Sequence, residues 1–437
     1  MSNLVRSSAI NFLYKIFNLL LALGIMAVTA RLGTYNRGEY SILITSAQIY
    51  ITIFAGFGAA AAYQISREGN FNRKYISTCL FLSGIIGSIV TFLTISISYF
   101  FKSPPLVNLW IVGLSAPFLM IIPLLSGVYL GSGNMFRMNF INSFSSSFVL
   151  ITIFLLYVFR VNVTIEIILF CWALSQVISA VLSIYIYLKE HKFDGWDFKS
   201  LIPYRVYAIE IGITNIVSLL NYKIDLFLVQ SFLGLSQAGV YSISISIAEM
   251  LWFISSSVTA AAYSRIGRDN KVDSGLFVIR LVHLNFLCLL LAAPMIIIGF
   301  VYTVPFLFGK AYEESLIPLL ILLPGVLLFG AASTLSTYFT NQLGQPNLSR
   351  RVATFSFATN LILSLILIPN FQLIGAAFAS SFAYIIAIIY GLFLFTKNSH
   401  VSWGIILHPD MAMLLQDVNK IAISIKNILR PTKRTLR

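Results

Sequence analysis

Residues 32–42, which read LGTYNRGEYSI, return 201 positions later as residues 233–243, which read LGLSQAGVYSI. Leucine, two glycines, tyrosine, serine and isoleucine keep the same places in both copies. Each copy opens a long apolar segment that leads into an alanine run ending in a tyrosine, at Tyr63 and at Tyr263. An internal repeat of this length is typical of a chain built from two similar halves.

The composition identifies the medium in which those halves fold. Of the 437 residues, 58% are hydrophobic and only 10% carry a formal charge. Soluble domains are about 45–50% apolar and about 25% charged, so a soluble fold is excluded. A disordered chain is excluded too, because disorder requires low hydrophobicity. The sequence is that of a polytopic membrane protein.

Apolar runs long enough to cross a bilayer, which needs about 20 residues per helix, occur twelve times. The predicted helices are 8–32, 40–65, 76–101, 105–130, 139–159, 163–188, 206–232, 239–264, 277–302, 314–340, 351–369 and 373–396. The fold class predicted is all-α and integral to the membrane, with twelve transmembrane helices.

The distribution of basic residues predicts the orientation of these helices. With the N-terminus in the cytoplasm, 22 lysines and arginines fall on the inner side and 5 on the outer side. Cytoplasmic loops are the ones enriched in lysine and arginine, so both termini are expected in the cytoplasm. This bias accounts for most of the net charge of +14 without a nucleic-acid partner.

The repeat also predicts the domain organisation. Six helices separate the two copies, an even number, so both copies cross the membrane in the same direction. We therefore expect two parallel six-helix lobes around a central cavity, an arrangement used by transporters. The boundaries expected are 1–188 for the N-terminal lobe, 189–203 for a cytoplasmic linker and 204–396 for the C-terminal lobe.

Residues 397–437 form a basic tail. Between Pro409 and Pro431 its apolar residues follow a helical stripe. We expect an amphipathic cytoplasmic helix on the inner leaflet, held by the stripe and by basic residues against anionic membrane lipids. A solvated tail is the alternative.

Several motifs are similar to those of a known family. They are Ala30–Gly33, Arg37–Tyr40, Asn221–Asp225 with Gly239–Ser242, and, in the last two helices, Gly344–Pro346, Leu367–Pro369 and Gly375–Ser380. In these residues the chain resembles the polysaccharide exporters of the multidrug/oligosaccharidyl-lipid/polysaccharide (MOP) flippase superfamily, and especially the O-antigen or capsule repeat-unit flippases (Wzx type).

The resemblance implies a MATE/MOP-like fold and a function. An undecaprenyl-diphosphate-linked oligosaccharide, the repeat unit of an O-antigen, capsule or exopolysaccharide, would pass from the cytoplasmic to the periplasmic leaflet of a bacterial inner membrane. Alternating access would move it, with polysaccharide-assembly proteins as candidate partners. The alternatives are another MOP-fold transporter, either a lipid-linked peptidoglycan precursor flippase or a drug/cation antiporter, and more remotely a membrane-embedded glycan polymerase or ligase.

Enzymatic motifs are missing from the sequence. Gly309-Lys310 comes nearest to a phosphate-binding loop, but position 304 is valine, so the GxxxxGK[ST] pattern fails. The four histidines are scattered and lack metal-ligand spacing. We therefore expect a transporter with no cofactor beyond a coupling ion, driven by gradients or by the membrane potential.

Four cations are the candidate substrate-binding residues. Lys15 and Lys223 lie inside the first helix of each lobe, where a charge costs about 3 kcal/mol at the bilayer centre unless it faces water or a partner. The hypothesis is that these lysines attract the diphosphate while Arg31 and Arg37 guard the outer mouth of the cavity. The alternatives are snorkelling for Lys15, a carboxylate partner for Lys223, and turn-capping and lipid headgroup contact for the two arginines.

A cation site is the second hypothesis. Asn221 lies four residues before Asp225, so the two side chains share a helix face. The resemblance implies a cation site built from an aspartate of the seventh helix and side chains of the eleventh, which places Na⁺ or H⁺ at Asp225 and Asn360, with Ser364 one turn further on. The alternative is an Asp225 paired with a basic residue. Glu249, whose counterpart in the first repeat is a glutamine, is a further candidate for proton coupling.

Overall fold

The computed structural model describes residues 2–68, 72–266 and 271–409, which are mostly helical and contain no strand. The membrane helices are numbered here as spans 1 to 12. They are Ser2–Arg31 (span 1), Thr34–Glu68 (span 2), Arg73–Phe100 (span 3), Leu106–Gly113 with Ala116–Gly131 (span 4), Met135–Val158 (span 5), Ile165–Glu190 (span 6), Arg205–Leu233 (span 7), Leu235–Glu249 with Trp252–Ile266 (span 8), Lys271–Leu307 (span 9), Leu316–Ala331 with Ser333–Thr337 and Tyr338–Gln342 (span 10), and Pro346–Ser399 (spans 11 and 12).

The number of spans agrees with the sequence prediction. Ten described helices are long and apolar enough to cross a membrane, and the two halves of span 4, bent by 56°, form an eleventh crossing. The helix Pro346–Ser399 has 54 residues, about 81 Å at 1.5 Å per residue, which is far longer than one crossing needs. Its backbone leaves the helical conformation at Gln372 (φ 53°, ψ −133°), so it comprises spans 11 and 12.

Two glycines make the connections from span 1 to span 2 and from span 7 to span 8 very short. Gly33 and Gly234 occupy equivalent places in the repeat and have φ of 99° and 86°. Glycine adopts this conformation without the steric cost that a Cβ atom brings. Each connection therefore reverses the chain within about two residues at the same place in each lobe.

The two copies of the repeat meet each other in the fold. A Cβ atom on Gly38 would lie 1.8 Å from the carbonyl oxygen of Leu235, and one on Gly239 would lie 1.9 Å from that of Thr34. Spans 2 and 8 therefore touch backbone to backbone, related by a pseudo-twofold axis between the two glycines. The fold class predicted from the sequence, two like-oriented helical lobes, is confirmed.

These contacts lie at one face of the molecule. We call the face at which span 1 begins and span 12 ends the terminal face, and the other the opposite face. The contact of Gly38 with Leu235 closes the opposite face. At the terminal face, spans 2 and 7 also pack closely, because a Cβ on Gly56 would lie 2.0 Å from the Ala208 carbonyl oxygen.

Spans 1 and 8 are related to spans 2 and 7 by the pseudo-twofold axis, but they pack differently at the terminal face. In its terminal half, span 1 reaches span 8 through the Lys15 side chain, which donates to Ser256 and Ser257. The terminal face is therefore packed backbone to backbone along one side of the seam between the lobes and bridged by a long side chain along the other.

The predicted tail is partly described. Span 12 continues to Ser399, three residues beyond its predicted end, and a short helix Trp403–Leu407 follows. The predicted amphipathic helix lies outside the described residues.

Candidate functional site

The first polar cluster inside the C-terminal lobe is centred on Asp225. This carboxylate is 1% exposed and sits in span 7. Its Oδ2 atom accepts hydrogen bonds of 2.7 Å from the Tyr241 hydroxyl of span 8 and of 2.7 Å from the Ser380 hydroxyl of span 12. Its Oδ1 atom accepts one of 2.8 Å from the Leu226 backbone N–H. Asp225 thus takes neutral donors and no ion pair within the described residues.

Span 11 completes this cluster. Asn360 Oδ1 accepts hydrogen bonds from Ser364 (3.0 Å) and from Ser380 (3.3 Å), so Ser380 links Asn360 to Asp225. Asn360 Nδ2 donates to the backbone carbonyl of Asn221 at 3.0 Å. The amide nitrogen and oxygen of the Asn221 side chain are buried and have no partner among the described residues.

The structure therefore brings together the four residues proposed from the sequence for a cation site, Asp225, Asn221, Asn360 and Ser364. Two further members, Tyr241 and Ser380, were missed. Tyr241 belongs to the repeated YSI motif, and Ser380 ends the Gly375–Ser380 motif. Neither pattern carries a chemical signal, and their contact with Asp225 arises only when spans 7, 8 and 12 pack.

The second polar group lies where span 8 is interrupted. Lys223 Nζ donates to both carboxylate oxygens of Glu249, at 2.8 and 2.7 Å. The two side chains are 16% and 25% exposed, so the pair is not fully sealed in the core. The carboxylate partner considered for Lys223 is thus Glu249, and the charge of this lysine is compensated.

Aromatic rings hold the interruption of span 8 in place. Its two helical pieces end at Glu249 and restart at Trp252. The Trp252 ring packs against Tyr222, Phe329 and Tyr384 with centroids 5.0, 5.7 and 5.9 Å away, and its indole N–H donates to the backbone of span 10. Since three spans supply these rings, the position of Glu249 is fixed by packing.

Lys15 has no acidic partner within the described residues. Its Nζ donates to Ser256 Oγ at 2.9 Å and to Ser257 Oγ at 3.4 Å, both on span 8. A hydroxyl oxygen solvates an ammonium group without cancelling its charge. Lys15 therefore places an uncompensated positive charge across the seam between the lobes, in its terminal half.

Arg31 and Arg37, the two residues predicted to guard the outer mouth of the cavity, join the lobes at the opposite face. Arg31 caps span 9: its guanidinium donates to the backbone carbonyls of Leu307, at 2.8 Å, and of Phe306. A cation is favourable there because the C-terminal end of a helix is negative. Leu307 lies 276 residues away in the chain, so this contact arises only from tertiary packing.

Arg37 is only 6% exposed. Its Nε donates to Ser242 of span 8 at 3.0 Å and its Nη1 to Thr29 of span 1 at 2.8 Å. The guanidinium also lies over the Tyr40 ring, 5.8 Å from its centroid. With the opposite face closed, Arg37 is therefore part of the seam and is shielded from solvent.

A family profile matches the chain over residues 4–268, more than half of its length, and its description is "Polysaccharide biosynthesis protein". The chain belongs to this family. A search of curated proteins found no match to the chain.

Solved structures share the fold of this family member. It is similar to a multidrug resistance MATE transporter of the MOP superfamily in its inward-facing conformation, with a TM-score of 0.68 and 16% identity over 88% of this chain and 96% of that one. It is similar to the lipid II flippase MurJ in an inward closed conformation, with a TM-score of 0.63 and 17% identity over 96% and 97%. A MOP superfamily transporter from Pyrococcus furiosus gives a TM-score of 0.64 and 16% identity over 90% and 95%. At such identities the likeness shows the fold alone.

Proposed function

We propose that this protein is a flippase that moves an undecaprenyl-diphosphate-linked oligosaccharide, the repeat unit of an O-antigen, capsule or exopolysaccharide, from the cytoplasmic to the periplasmic leaflet of a bacterial inner membrane. One observation carries the proposal: the uncompensated cation Lys15 lies in the seam between the two lobes of a polysaccharide biosynthesis protein. A ligand made of a dianionic diphosphate and a sugar head suits this site, because the ammonium group attracts the diphosphate and the neighbouring hydroxyls can form hydrogen bonds with the ligand. The polyprenyl tail stays in lipid.

The orientation proposed follows the basic residues. The terminal face carries the excess of lysine and arginine, so it is the cytoplasmic face and both termini lie there. The structure, closed at the opposite face by the contacts of Arg31, Arg37 and Gly38, then corresponds to a state that excludes the periplasm.

The transport step proposed is rocking of the lobes, residues 1–188 and 204–396, about their seam, with residues 189–203 as the linker. Opening the opposite face requires the Arg31, Arg37 and Gly38 contacts to part. Met26, Ala30 and Ile42 also pack into the apolar core of the C-terminal lobe, so these apolar contacts would have to separate together with the hydrogen bonds and the backbone packing.

The membrane potential is a sufficient driving force. Moving one charge through 100 mV is worth about 2.3 kcal/mol, so export of two negative charges from an inside-negative cell releases about 4–5 kcal/mol. Transport therefore needs no hydrolytic step on the protein.

The experiment that tests the function uses the full chain in liposomes. A fluorescent undecaprenyl-diphosphate-linked oligosaccharide is supplied on the face that carries the termini, and its arrival in the other leaflet is read by a membrane-impermeant quencher. We expect protein-dependent transfer, and none of a lipid-linked sugar that lacks the diphosphate. Equal transfer of both lipids, or of neither, would contradict the proposal.

We further propose that the Asp225 cluster binds the coupling ion, Na⁺ or H⁺. Asp225, Asn360 and the unpartnered Asn221 amide offer the carboxylate and carbonyl oxygens that a hard cation prefers, and the Ser364 and Ser380 hydroxyls add two more oxygens. A bound Na⁺ would supply the positive charge that the buried carboxylate lacks. Since spans 7, 8, 11 and 12 all contribute, the ion would stabilise one packing of the C-terminal lobe.

A further inference from the structure

Span 8 holds three cations in a row. Arg37 donates to Ser242, Lys223 donates to Glu249, and Lys15 donates to Ser256, at 3.0, 2.7 and 2.9 Å. The three cations come from three different helices, spans 2, 7 and 1, and each has an acceptor on span 8.

The three acceptors are evenly spaced. Ser242, Glu249 and Ser256 are seven residues apart in the chain, which is nearly two helical turns. The first step lies within the helical piece Leu235–Glu249, and the second crosses the interruption that precedes Trp252. At 1.5 Å per residue each step is about 10 Å. Together they cover about 21 Å of the roughly 30 Å apolar thickness of a bilayer.

The acceptors differ in charge along this row. Ser242 and Ser256 hold their cations through neutral hydroxyls, whereas Glu249 neutralises Lys223. An anion that arrives at Lys15 meets an uncompensated charge. At Lys223 it has to displace a carboxylate, and the displaced carboxylate then competes with it for the same ammonium group. Strong binding at the midpoint, which would hold the anion there, is thereby avoided.

We propose that span 8 aligns a three-step path for the substrate's diphosphate, from Lys15 to Lys223 to Arg37, and that Glu249 is the positioning residue that releases the diphosphate from Lys223. The inference rests on the proposed flippase function and adds the order of the steps and the role of Glu249. Arg37 becomes available for the last step when its contact with Ser242 parts on opening of the opposite face.

The test measures binding and transport with the full-length protein. The probe for binding is geranyl-diphosphate-linked N-acetylglucosamine, titrated calorimetrically in detergent. Glu249→Gln keeps the size of the side chain and removes its charge, so we expect it to bind the probe about tenfold more tightly, the effect of removing one competing charge. Transport in liposomes should fall at the same time, because release from Lys223 is slowed.

A double substitution shows whether Glu249 acts through Lys223. The pair Lys223→Ala with Glu249→Gln should bind the probe as weakly as Lys223→Ala alone, because without the lysine there is nothing for Glu249 to compete for. Glu249→Asp keeps the negative charge and should bind the probe with wild-type affinity. Glu210→Gln removes an equal charge at an exposed position of span 7 and should leave the affinity unchanged.

The outcomes separate this inference from the function on which it rests. If the wild-type protein fails to bind the probe, both the path along span 8 and the flippase function are contradicted. If it binds and transports but Glu249→Gln does not tighten binding, or the tightening persists in the absence of Lys223, the path along span 8 is wrong and the flippase function stands.

Discussion

At the scale of single residues, the candidate site depends on how each charge is partnered. Lys223 is held by a carboxylate, Lys15 by hydroxyls, and Asp225 by hydroxyls and a backbone N–H. A charge whose partners are all neutral is not cancelled, so Lys15 and Asp225 can each attract a ligand of opposite charge. The two predictions that follow concern these two residues.

Lys15→Ala should weaken binding of a prenyl-diphosphate sugar by about tenfold and reduce its transport, because the first positive charge on the path is lost. Titration calorimetry measures the binding, and the quenching assay measures the transport. Lys15→Arg, which keeps the charge, should retain both. Lys310→Ala, at an exposed position near the start of span 10, is the control for overall charge. An unaltered affinity in Lys15→Ala would remove this residue from the path.

Asp225→Asn should abolish the dependence of transport on the coupling ion, because the amide cannot supply the charge that holds a cation. For Na⁺ the matching measurement is thermal unfolding. Na⁺ in place of choline should raise the unfolding temperature of the wild type, as any ligand that binds only the folded state does, and should not affect Asp225→Asn. If Na⁺ has no effect on the wild type, a dependence of transport on pH that Asp225→Asn removes would indicate H⁺. Retention of the ion dependence in the variant would argue against this site.

At the scale of helices, glycines determine where the lobes touch. Gly38 and Gly239 let spans 2 and 8 approach backbone to backbone at the opposite face, while Gly56 does the same for spans 2 and 7 at the terminal face. Small residues allow this approach because no side chain stands between the helices. The repeat in the sequence is thus explained by a contact: each copy needs its glycine to fit against the other.

Gly38→Val should open the seam at the opposite face, since its Cβ would overlap the Leu235 carbonyl oxygen. Ala238 is buried, so Ala238→Cys reports the opening by its reaction with a membrane-impermeant maleimide. The background carries Cys288→Ser, because Cys288 is only partly buried. We expect little labelling with Gly38 intact and strong labelling with Gly38→Val. Gly84→Val is the matched control, because a Cβ on Gly84 meets nothing within 4 Å. Protection that persists in Gly38→Val would mean that the seam does not depend on this contact.

At the scale of the whole molecule, the proposed path along span 8 carries cations that favour an anion. In the proposed mechanism the sugar head and diphosphate follow the seam while the polyprenyl tail remains in the bilayer, so the protein never has to bury the whole substrate. Transport by this mechanism is electrogenic, because the two negative charges cross the membrane without a compensating ion unless the Asp225 cluster supplies one.

Transport of the diphosphate lipid should therefore increase with a membrane potential that is negative on the side of the termini. In liposomes loaded with K⁺ and treated with valinomycin, a potential of about 100 mV should shift the final distribution toward the other leaflet by about a thousandfold, from about 4–5 kcal/mol for two charges. Reversing the K⁺ gradient should reverse the shift. A distribution that ignores the potential would indicate that the charge is fully compensated by a coupled ion.

The sequence by itself determined the helices, their number and the repeat. The signals are local: apolar runs of about 20 residues, the excess of basic residues on one side and the LG…G.YSI motif. Each can be recognised in the sequence without knowing which residues contact it in the fold. The spacing of Asn221 and Asp225, together with what the family resemblance implies for Asn360 and Ser364, indicated these four residues as one site.

Only the tertiary structure decided which side chains share a contact. Tyr241 and Ser380 at Asp225, Glu249 at Lys223, and Ser242 and Ser256 at the ends of the path come from helices that are distant in the chain, and several have no unusual local sequence. In a membrane the hydrophobic effect selects helices but does not select their neighbours. Those are chosen by close packing and by polar partners, which exist only once the helices have assembled.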